Sequence, residues 1–317
     1  MIAEKILKHL DIDFEEIGLP QSGYRNKSYC IKLKNGKKVN LIIYKSEVGI
    51  LKKIKAANAV GIFLNKKGLN VRYPISKIVK LSNPKTGFIK FACVYNYLEG
   101  ETIPWEGYVS KHIKLLGGEM GRMHKTIINY KFLITNYDEC IQILKIQLNT
   151  MEKYFADSNV KAAMLKKLGL NLEINFEEFR SVFKQLSNEE SQILHMDLVR
   201  SNVLFKLTPD SNISISGIID FEKVCVGPKI LDIARTLAFL IVDCKYKKEE
   251  KVRKYFLLNG YQKRGENKLP DLTNLEILLR YFWLYDFYKF LKHNPYESLV
   301  LNEHYLRTVD RLVSSRL

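Results

Sequence analysis

Apolar positions recur at helical spacing from the first residue, with Ile2, Ile6, Leu7 and Leu10 on one face, and predict an amphipathic helix over residues 1–13. Two strand-like runs follow, Tyr29–Leu33 and Val39–Tyr44, joined across Asn35-Gly36, a dipeptide that suits the positive φ angles of a tight hairpin. Ile50–Lys67 returns to helical spacing and Gly68 supplies its stop. Ile75–Leu81 and Phe88–Tyr95 read as a second strand pair around the turn Asn83–Gly87. Past Glu99-Gly100 the pattern changes. Val109–Thr126, Asp138–Asp157 and Phe176–Leu186 are helical, then come two short strand-like runs, Val203–Lys206 and Ile213–Ile219. Ile230–Asp243, Lys248–Leu258, Asn274–Lys292 and Ser298–Ser314 complete the chain as helices. The expected class is α+β in two lobes: a small antiparallel sheet with one inserted helix over residues 1–98, and a larger, mainly helical lobe over residues 99–317. Tyr95–Gly100 would be the hinge, and a cleft between lobes is a common place for a cofactor.

Composition narrows the class. The chain of 317 residues is 46% hydrophobic and 27% charged, in the range of an ordinary globular protein large enough for a sizeable core. Its longest candidate membrane run, Leu237–Val242, is flanked by Arg235 and Asp243 and falls far short of a span. Glu4, Lys5 and Lys8 interrupt the first ten residues, so no signal peptide is expected and the cytoplasm is the expected compartment. The five cysteines are widely spaced without a C-x-x-C pair and imply neither a disulfide nor a zinc site. The net charge of +17 raises the question of a nucleic-acid partner. The charge is mostly lysine spread along the chain, without arginines interleaved with aromatics, so no nucleic acid is expected.

The candidate chemistry lies in His195-Met196-Asp197-Leu198-Val199-Arg200-Ser201-Asn202, an H-x-D-x-x-x-x-N pattern followed by the apolar run Val203-Leu204-Phe205. Further on, Ile218-Ile219 leads into Asp220-Phe221-Glu222. Phosphoryl transfer asks for these groups: a carboxylate to accept the hydroxyl proton, and hard oxygen ligands for magnesium on the phosphates. Asp197 stands where the base belongs, and Asn202 and Asp220 offer a carbonyl and a carboxylate oxygen to the metal.

In this order and spacing, the segments resemble the aminoglycoside phosphotransferase and choline kinase family, whose catalytic loop reads H-G-D-x-x-x-x-N. Gly227-Pro228 and Leu231-Asp232-Ile233-Ala234 resemble the family's next motif, in which Asp232 would anchor the catalytic loop and His195 would brace it from the core. Ser22 and Gly23-Tyr24-Arg25-Asn26-Lys27-Ser28-Tyr29 resemble the turn that covers the phosphates, with Ser22, Gly23 and Asn26 as contacts. Val94–Glu101 resembles the hinge that meets the adenine edge, with Tyr95, Tyr97 and Leu98 as contacts, and Leu116-Gly117 through Met123-His124 resembles a core helix of the family. The resemblance spans roughly residues 17–240. It implies a protein-kinase-like fold and an ATP- and Mg2+-dependent kinase that phosphorylates a hydroxyl of a small metabolite. No A-P-E-like segment follows Asp220, which ranks a protein substrate low.

Three departures stand out. Met196 replaces the usual glycine. The third-strand cation that pairs with the phosphates is replaced by Ile42; Lys45 serves instead if the register differs, and is otherwise a surface residue. The helix that follows lacks the glutamate that backs that cation, with Ala57 or Asn58 in its place and Glu47 the nearest carboxylate. Losing both partners strands no charge, and it motivates the alternative of a catalytically weak or inactive ATP-binding regulatory module. The late run Tyr281–Tyr288 with Asp286 reads either as helix core or as an aromatic pocket for an amine, through cation–π attraction. Choline, ethanolamine or an amino sugar would suit such a pocket, while homoserine, a sugar or a methylthio-sugar stay open. The sequence does not give the oligomeric state.

Overall fold

The structure is a computed structural model that describes residues 2–22, 26–82, 89–128, 130 and 137–314, with the side chains of Ser22 and Trp105 excepted. Gly23 and the turn Asn83–Gly87 lie outside the described residues. The chain divides into two compact units. The first comprises Met1–Thr102, Asn202–Ser211 and Ile215–Lys223, and the second comprises Ile103–Ser201, Asn212–Ser214 and Val224–Leu317.

In the first unit, helix α1 (Ile2–His9) precedes strands β1 (Phe14–Ile17), β2 (Gln21–Ser22), β3 (Lys27–Leu33) and β4 (Lys38–Ile43). Helix α2 (Ile50–Lys66) and strands β5 (Val79–Ser82) and β6 (Ile89–Asn96) follow. The strands form one antiparallel sheet in the order β1-β3-β4-β6-β5, with β2 added against β3. Alternation along β4 sorts its side chains between two layers. Val39, Leu41 and Ile43 join Ile6 and Leu7 of α1, whereas Ile42 and Tyr44 join Ile50 and Ile54 of α2. Both faces of the sheet are thus covered, which is why β4 reads as an almost continuous apolar run. Helix α2 ends where Gly68 adopts φ +83°, a left-handed stop that glycine makes without strain.

Strands β8 (Val203–Leu207) and β9 (Ile213–Ile218) pair with each other. Gly100, after β6, joins the chain to β8: Glu101 and Phe205 exchange two backbone hydrogen bonds of 2.9 Å. Only glycine fits there, because its φ is +129° and a Cβ would lie 2.2 Å from Ser216 Oγ and 2.7 Å from Phe205 O.

The second unit is mainly helical: α3 (Ser110–Ile127), α4 (Cys140–Ala156), α5 (Ser158–Leu168), α6 (Phe176–Leu186), α7 (Lys229–Asp243), α8 (Glu249–Arg253), α9 (Leu275–His293) and α10 (Glu303–Ser314). Strands β7 (Gln192–Leu194) and β10 (Cys225–Gly227) form a small antiparallel pair beside it. The expected helix Lys248–Leu258 proves to be the short α8 running into a π-helix, Lys254–Arg264. This wider turn packs against α3 at Gly117, where a Cβ would lie 2.2 Å from Phe256 O. Helix α5 was not expected, although Asp157 caps its start by accepting from Asn159 N at 2.7 Å and Gly169 ends it at φ +65°. Its surface is nearly all polar or exposed, with only Met164 buried. Helices α7 and α9 are apolar almost all round and are buried accordingly. Among the described residues, no helix is long and apolar enough to cross a membrane.

The aromatic run on α9 is core. Tyr281, Phe282, Phe287 and Tyr288 are buried, the Tyr281 hydroxyl donates to Leu144 O at 3.0 Å, and Trp283 Nε1 donates to Ala238 O at 2.9 Å. Asp286 is engaged by His304 Nε2 at 2.8 Å.

Candidate active site

In the second unit, the segment His195–Leu198 follows β7 and is tied down by helix α7 at four points. Asp232 accepts from the backbone N–H groups of His195 (2.9 Å) and Met196 (2.8 Å). Arg235 Nε donates to Met196 O at 2.6 Å, and Thr236 Oγ1 donates to Leu198 O at 3.1 Å. Arg235 also reaches Asp197 Oδ1 at 3.3 Å, while its guanidinium lies over the rings of Phe239 and Phe282. The side chain of His195 turns back into the loop, its Nδ1 accepting from Asp197 N–H at 3.2 Å.

Asp232 is fully buried and is itself supported by His124 Nε2, 3.0 Å from Oδ2. Burial pushes its carboxyl upward, but the hydrogen bond from His124, the electrostatic pull of the His124 and His195 rings and the His195 N–H outweigh burial and hold it below the usual carboxylate range. Behind His124, Nδ1 meets the hydroxyl of Tyr261 at 2.8 Å, and Asn267 Nδ2 donates to that hydroxyl at 3.3 Å. The carboxylate only accepts, so His124 Nε2 carries its proton toward Asp232, and the Tyr261 hydroxyl is placed to donate to Nδ1. Tyr261 comes from the π-helix, a local form often found at functional sites.

These bonds explain why glycine suits the Met196 position. Its backbone has φ +55°, in the left-handed region, yet Met196 is only 7% exposed. The side chain fills core space while the backbone carries the strain.

The first unit holds the other oxygen groups. Asn202 ends a short 3-10 turn, Arg200–Asn202, and its carbonyl accepts from Ile219 N–H at 2.9 Å, which places it beside the chain entering Asp220. Asp220 is also left-handed, at φ +64°, and its Oδ1 accepts from Glu222 N–H at 3.4 Å. Asn26 Nδ2 donates to Glu222 Oε1 at 2.8 Å, and Asn26 Oδ1 accepts from Lys45 N–H at 3.1 Å. Burial, then the Asp220 carboxylate, pushes the Glu222 carboxyl up to about 7, against the pull of the Asn26 hydrogen bond and the Arg72 charge. Among the described residues, no three His, Cys, Asp or Glu side chains form a metal-holding group. One amide and one carboxylate oxygen nevertheless fit magnesium, which keeps water and phosphate ligands.

The remaining expected contacts are placed as follows. Ser22 pairs with Lys27 at the end of β2, while Gly23 falls outside the described residues. Lys45 follows β4 and is exposed. Tyr95 is buried within the paired part of β6, opposite Asn40. Tyr97 and Leu98 follow that strand, and Leu98 lies against the backbone at Gly217. Arg235, Glu222, Arg72 and the His124–Tyr261 pair were not anticipated as parts of these networks. The spacing Asp232 to Arg235, one helical turn, was the available signal for Arg235.

Residues 16–245 match the model of the phosphotransferase enzyme family, APH. The chain belongs to this family. It is a phosphotransferase of the kinase type, and its fold is the protein-kinase-like one: an amicoumacin kinase, hAmiN, solved with AMP-PNP, Ca2+ and Ami, superposes with a TM-score of 0.72 at 17% identity, over 100% of this chain and 92% of that one. A microcompartment-associated aminopropanol kinase gives a TM-score of 0.62 at 14% identity, over 99% and 94% of the two chains. An ethanolamine kinase of Plasmodium vivax gives 0.54 at 16% identity, over 94% and 81%. No curated protein matches this phosphotransferase in sequence.

Proposed function

We propose that this phosphotransferase moves the γ-phosphoryl group of ATP, with Mg2+, to a hydroxyl of a small metabolite of the amino-alcohol or amino-sugar class. The observation that carries the reading is the anchoring of Asp197: a loop bearing one carboxylate is held by four side-chain bonds from α7 to its backbone and by Arg235 on the carboxylate itself. Such fixation suits a group that must receive a proton from one hydroxyl at one position. Asp197 is the base of this reading. Asn202 and Asp220 are the magnesium ligands, and Mg2+ when bound supplies charge neutralisation on the phosphates. Ser22, Gly23 and Asn26 cover the phosphates, and Tyr97 and Leu98, past the end of β6, offer backbone groups to the adenine edge, with Tyr95 just before them. The names of the similar kinases, for amicoumacin, aminopropanol and ethanolamine, support an acceptor that carries both a hydroxyl and an amine.

The test is Mg2+-dependent ADP release over a panel of choline, ethanolamine, homoserine, amino sugars and aminoglycosides, for wild type and Asp197→Asn. The expected result is release stimulated by one panel class and lowered by about 10²–10⁴-fold in the variant, the usual contribution of a general base. Equal release from both would remove Asp197 from the chemistry. A second reading, a weak or inactive ATP-binding module, is favoured by Ile42 and Asn58 standing where a cation and its carboxylate are expected. Nucleotide binding without release on any panel member would favour it.

A further inference from the structure

The expected ion pair between β4 and α2 is replaced by a neutral chain. Ile42 is only 4% exposed. Asn58 gives its side-chain oxygen to the Tyr95 hydroxyl at 2.9 Å, and the Tyr95 and Tyr44 hydroxyls meet at 2.5 Å. Burial holds both phenols protonated, far above the ordinary tyrosine range. Neither Ile42 nor this chain of hydroxyls therefore offers charge to an anion.

A cation stands close by, on another segment. Arg72 lies in the loop after α2, with its backbone fixed to β9: its N–H donates to Ile218 O at 2.9 Å, and Ile218 N–H donates to Asn70 O at 3.0 Å. Ile218 ends the strand that leads into Asp220. The Arg72 guanidinium lies 6.0 Å from the centre of the Tyr95 ring, and its charge is felt by Glu222 and by the Tyr44 hydroxyl. It is half-buried, yet among the described residues it forms no ion pair with a carboxylate. Two lysines of this unit are placed differently: Lys53 is paired with Glu47 at 2.8 Å, and Lys45 is exposed.

We infer that Arg72 is the cation that meets the nucleotide phosphates in this chain, reaching them from the loop after α2 in place of a strand lysine. The inference rests on the phosphotransferase reading of the same unit. A planar guanidinium held against an aromatic ring presents paired N–H donors that fit two phosphate oxygens, which a flexible lysine does not. The backbone bond to Ile218 fixes Arg72 relative to the strand that delivers Asp220, so the phosphate cation and the proposed metal ligand are set by one strand end.

The test is calorimetric binding of Mg2+–AMP-PNP and of adenosine, which lacks phosphates, to the full chain as wild type, Arg72→Gln, Arg72→Lys and Lys45→Gln. Thermal unfolding serves as a check that each variant is folded. The expected result for Arg72→Gln is about 10–100-fold weaker AMP-PNP binding, the scale of a charge-assisted hydrogen-bond pair, with adenosine binding changed less than about twofold. Arg72→Lys should recover part of the loss, and it alone carries the test if the glutamine variant does not fold. Lys45→Gln should stay within about twofold of wild type for both ligands. AMP-PNP binding unchanged in Arg72→Gln, adenosine binding lost in equal measure, or the loss appearing in Lys45→Gln instead would each overturn the inference while leaving the kinase reading intact. Wild type that binds neither ligand would overturn both.

Discussion

Two loops of this phosphotransferase carry a non-glycine residue in the left-handed region at or beside an aspartate, and they are held in different ways. In the loop His195–Leu198, Met196 at φ +55° is fixed by Asp232 and Arg235, which are buried in α7, with His124 and Tyr261 behind. In the loop Asp220–Glu222, the side chain of Asp220, at φ +64°, accepts from Glu222 N–H, and Asn26 donates to Glu222. The first loop is held by buried hydrogen bonds from α7. The second is half-buried and keeps carboxylates close together, with an arginine near them that, among the described residues, pairs with none of them. A proton acceptor gains from being fixed before substrate arrives, because misplacement by an ångström forfeits much of its rate effect. A phosphate and metal site gains from being completed by its ligand, since fully pairing its charges within the protein would leave nothing to offer.

The contrast is broken most sharply at Asp232. Asp232→Ala leaves two backbone N–H groups and the His124 Nε2–H without their acceptor in a fully buried place. We expect a loss of about 3–5 kcal/mol, the scale for leaving several buried donors without their charged acceptor. Glu222→Gln keeps an oxygen for Asn26 and should cost no more than about 1 kcal/mol. Urea unfolding of both variants measures the pair of values. Similar losses at the two sites would end the distinction between a fixed loop and an open one.

The bracing of the loop His195–Leu198 extends to the C-terminal helices, and pH should reveal it. His304 lies between Asp243 (2.7 Å) and Asp286 (2.8 Å) and stacks on Phe239, whose ring also lies under Arg235. Burial lowers its pKa, but the hydrogen bonds to Asp243 and Asp286 and their charges outweigh burial and raise it from 6.5 to about 9. A raised pKa means that the folded state binds the proton more tightly than the unfolded chain. The stabilisation is complete below about pH 6.5 and fades as pH rises through 9, a change of about 3 kcal/mol at most. Unfolding free energies between pH 6 and 10 should fall by that amount in wild type and far less in His304→Gln. Parallel pH profiles for the two proteins would show that His304 does not couple the helices in this way.

Much of this was legible in the sequence because it followed local rules. Alternation and the Asn35-Gly36 turn located β3 and β4, and the H-x-D-x-x-x-x-N spacing found the loop that α7 anchors. Asp232 read as an anchor through the family resemblance of Gly227-Pro228 and Leu231–Ala234, and the structure gives it bonds to the backbone of His195 and Met196. The aromatic run of α9 had two readings, since periodicity does not say whether a ring lines a pocket or fills a core, and packing decided for the core. Helix α5 went unread despite its Asp157 cap and Gly169 stop, because a helix that buries only Met164 has no apolar stripe to detect. Strands β7 and β10, three residues each, were too short for any period. Arg72, Glu222 and the Tyr44–Tyr95–Asn58 chain depend on segments far apart in sequence meeting in one unit, which no local pattern records.

Met196 yields the smallest effect and the finest test of how the fixed loop is held. Most buried methionines lose about 2–5 kcal/mol on truncation to alanine, and glycine is ordinarily worse than alanine because it frees the unfolded chain. At this position the order should reverse. Alanine loses the packed side chain and keeps a Cβ in a left-handed backbone, which costs an L-residue roughly 1–2 kcal/mol, whereas glycine loses the side chain and relieves that strain. Met196→Gly should therefore be more stable than Met196→Ala by about 1 kcal/mol in urea unfolding, even though both are less stable than wild type. The anchoring bonds from Asp232 and Arg235 run to the Met196 backbone, so both variants keep them and the comparison isolates the strain. If alanine proved the more stable of the two, the left-handed geometry would be carrying no strain, and the preference for glycine at this point of the motif would need another cause than backbone conformation.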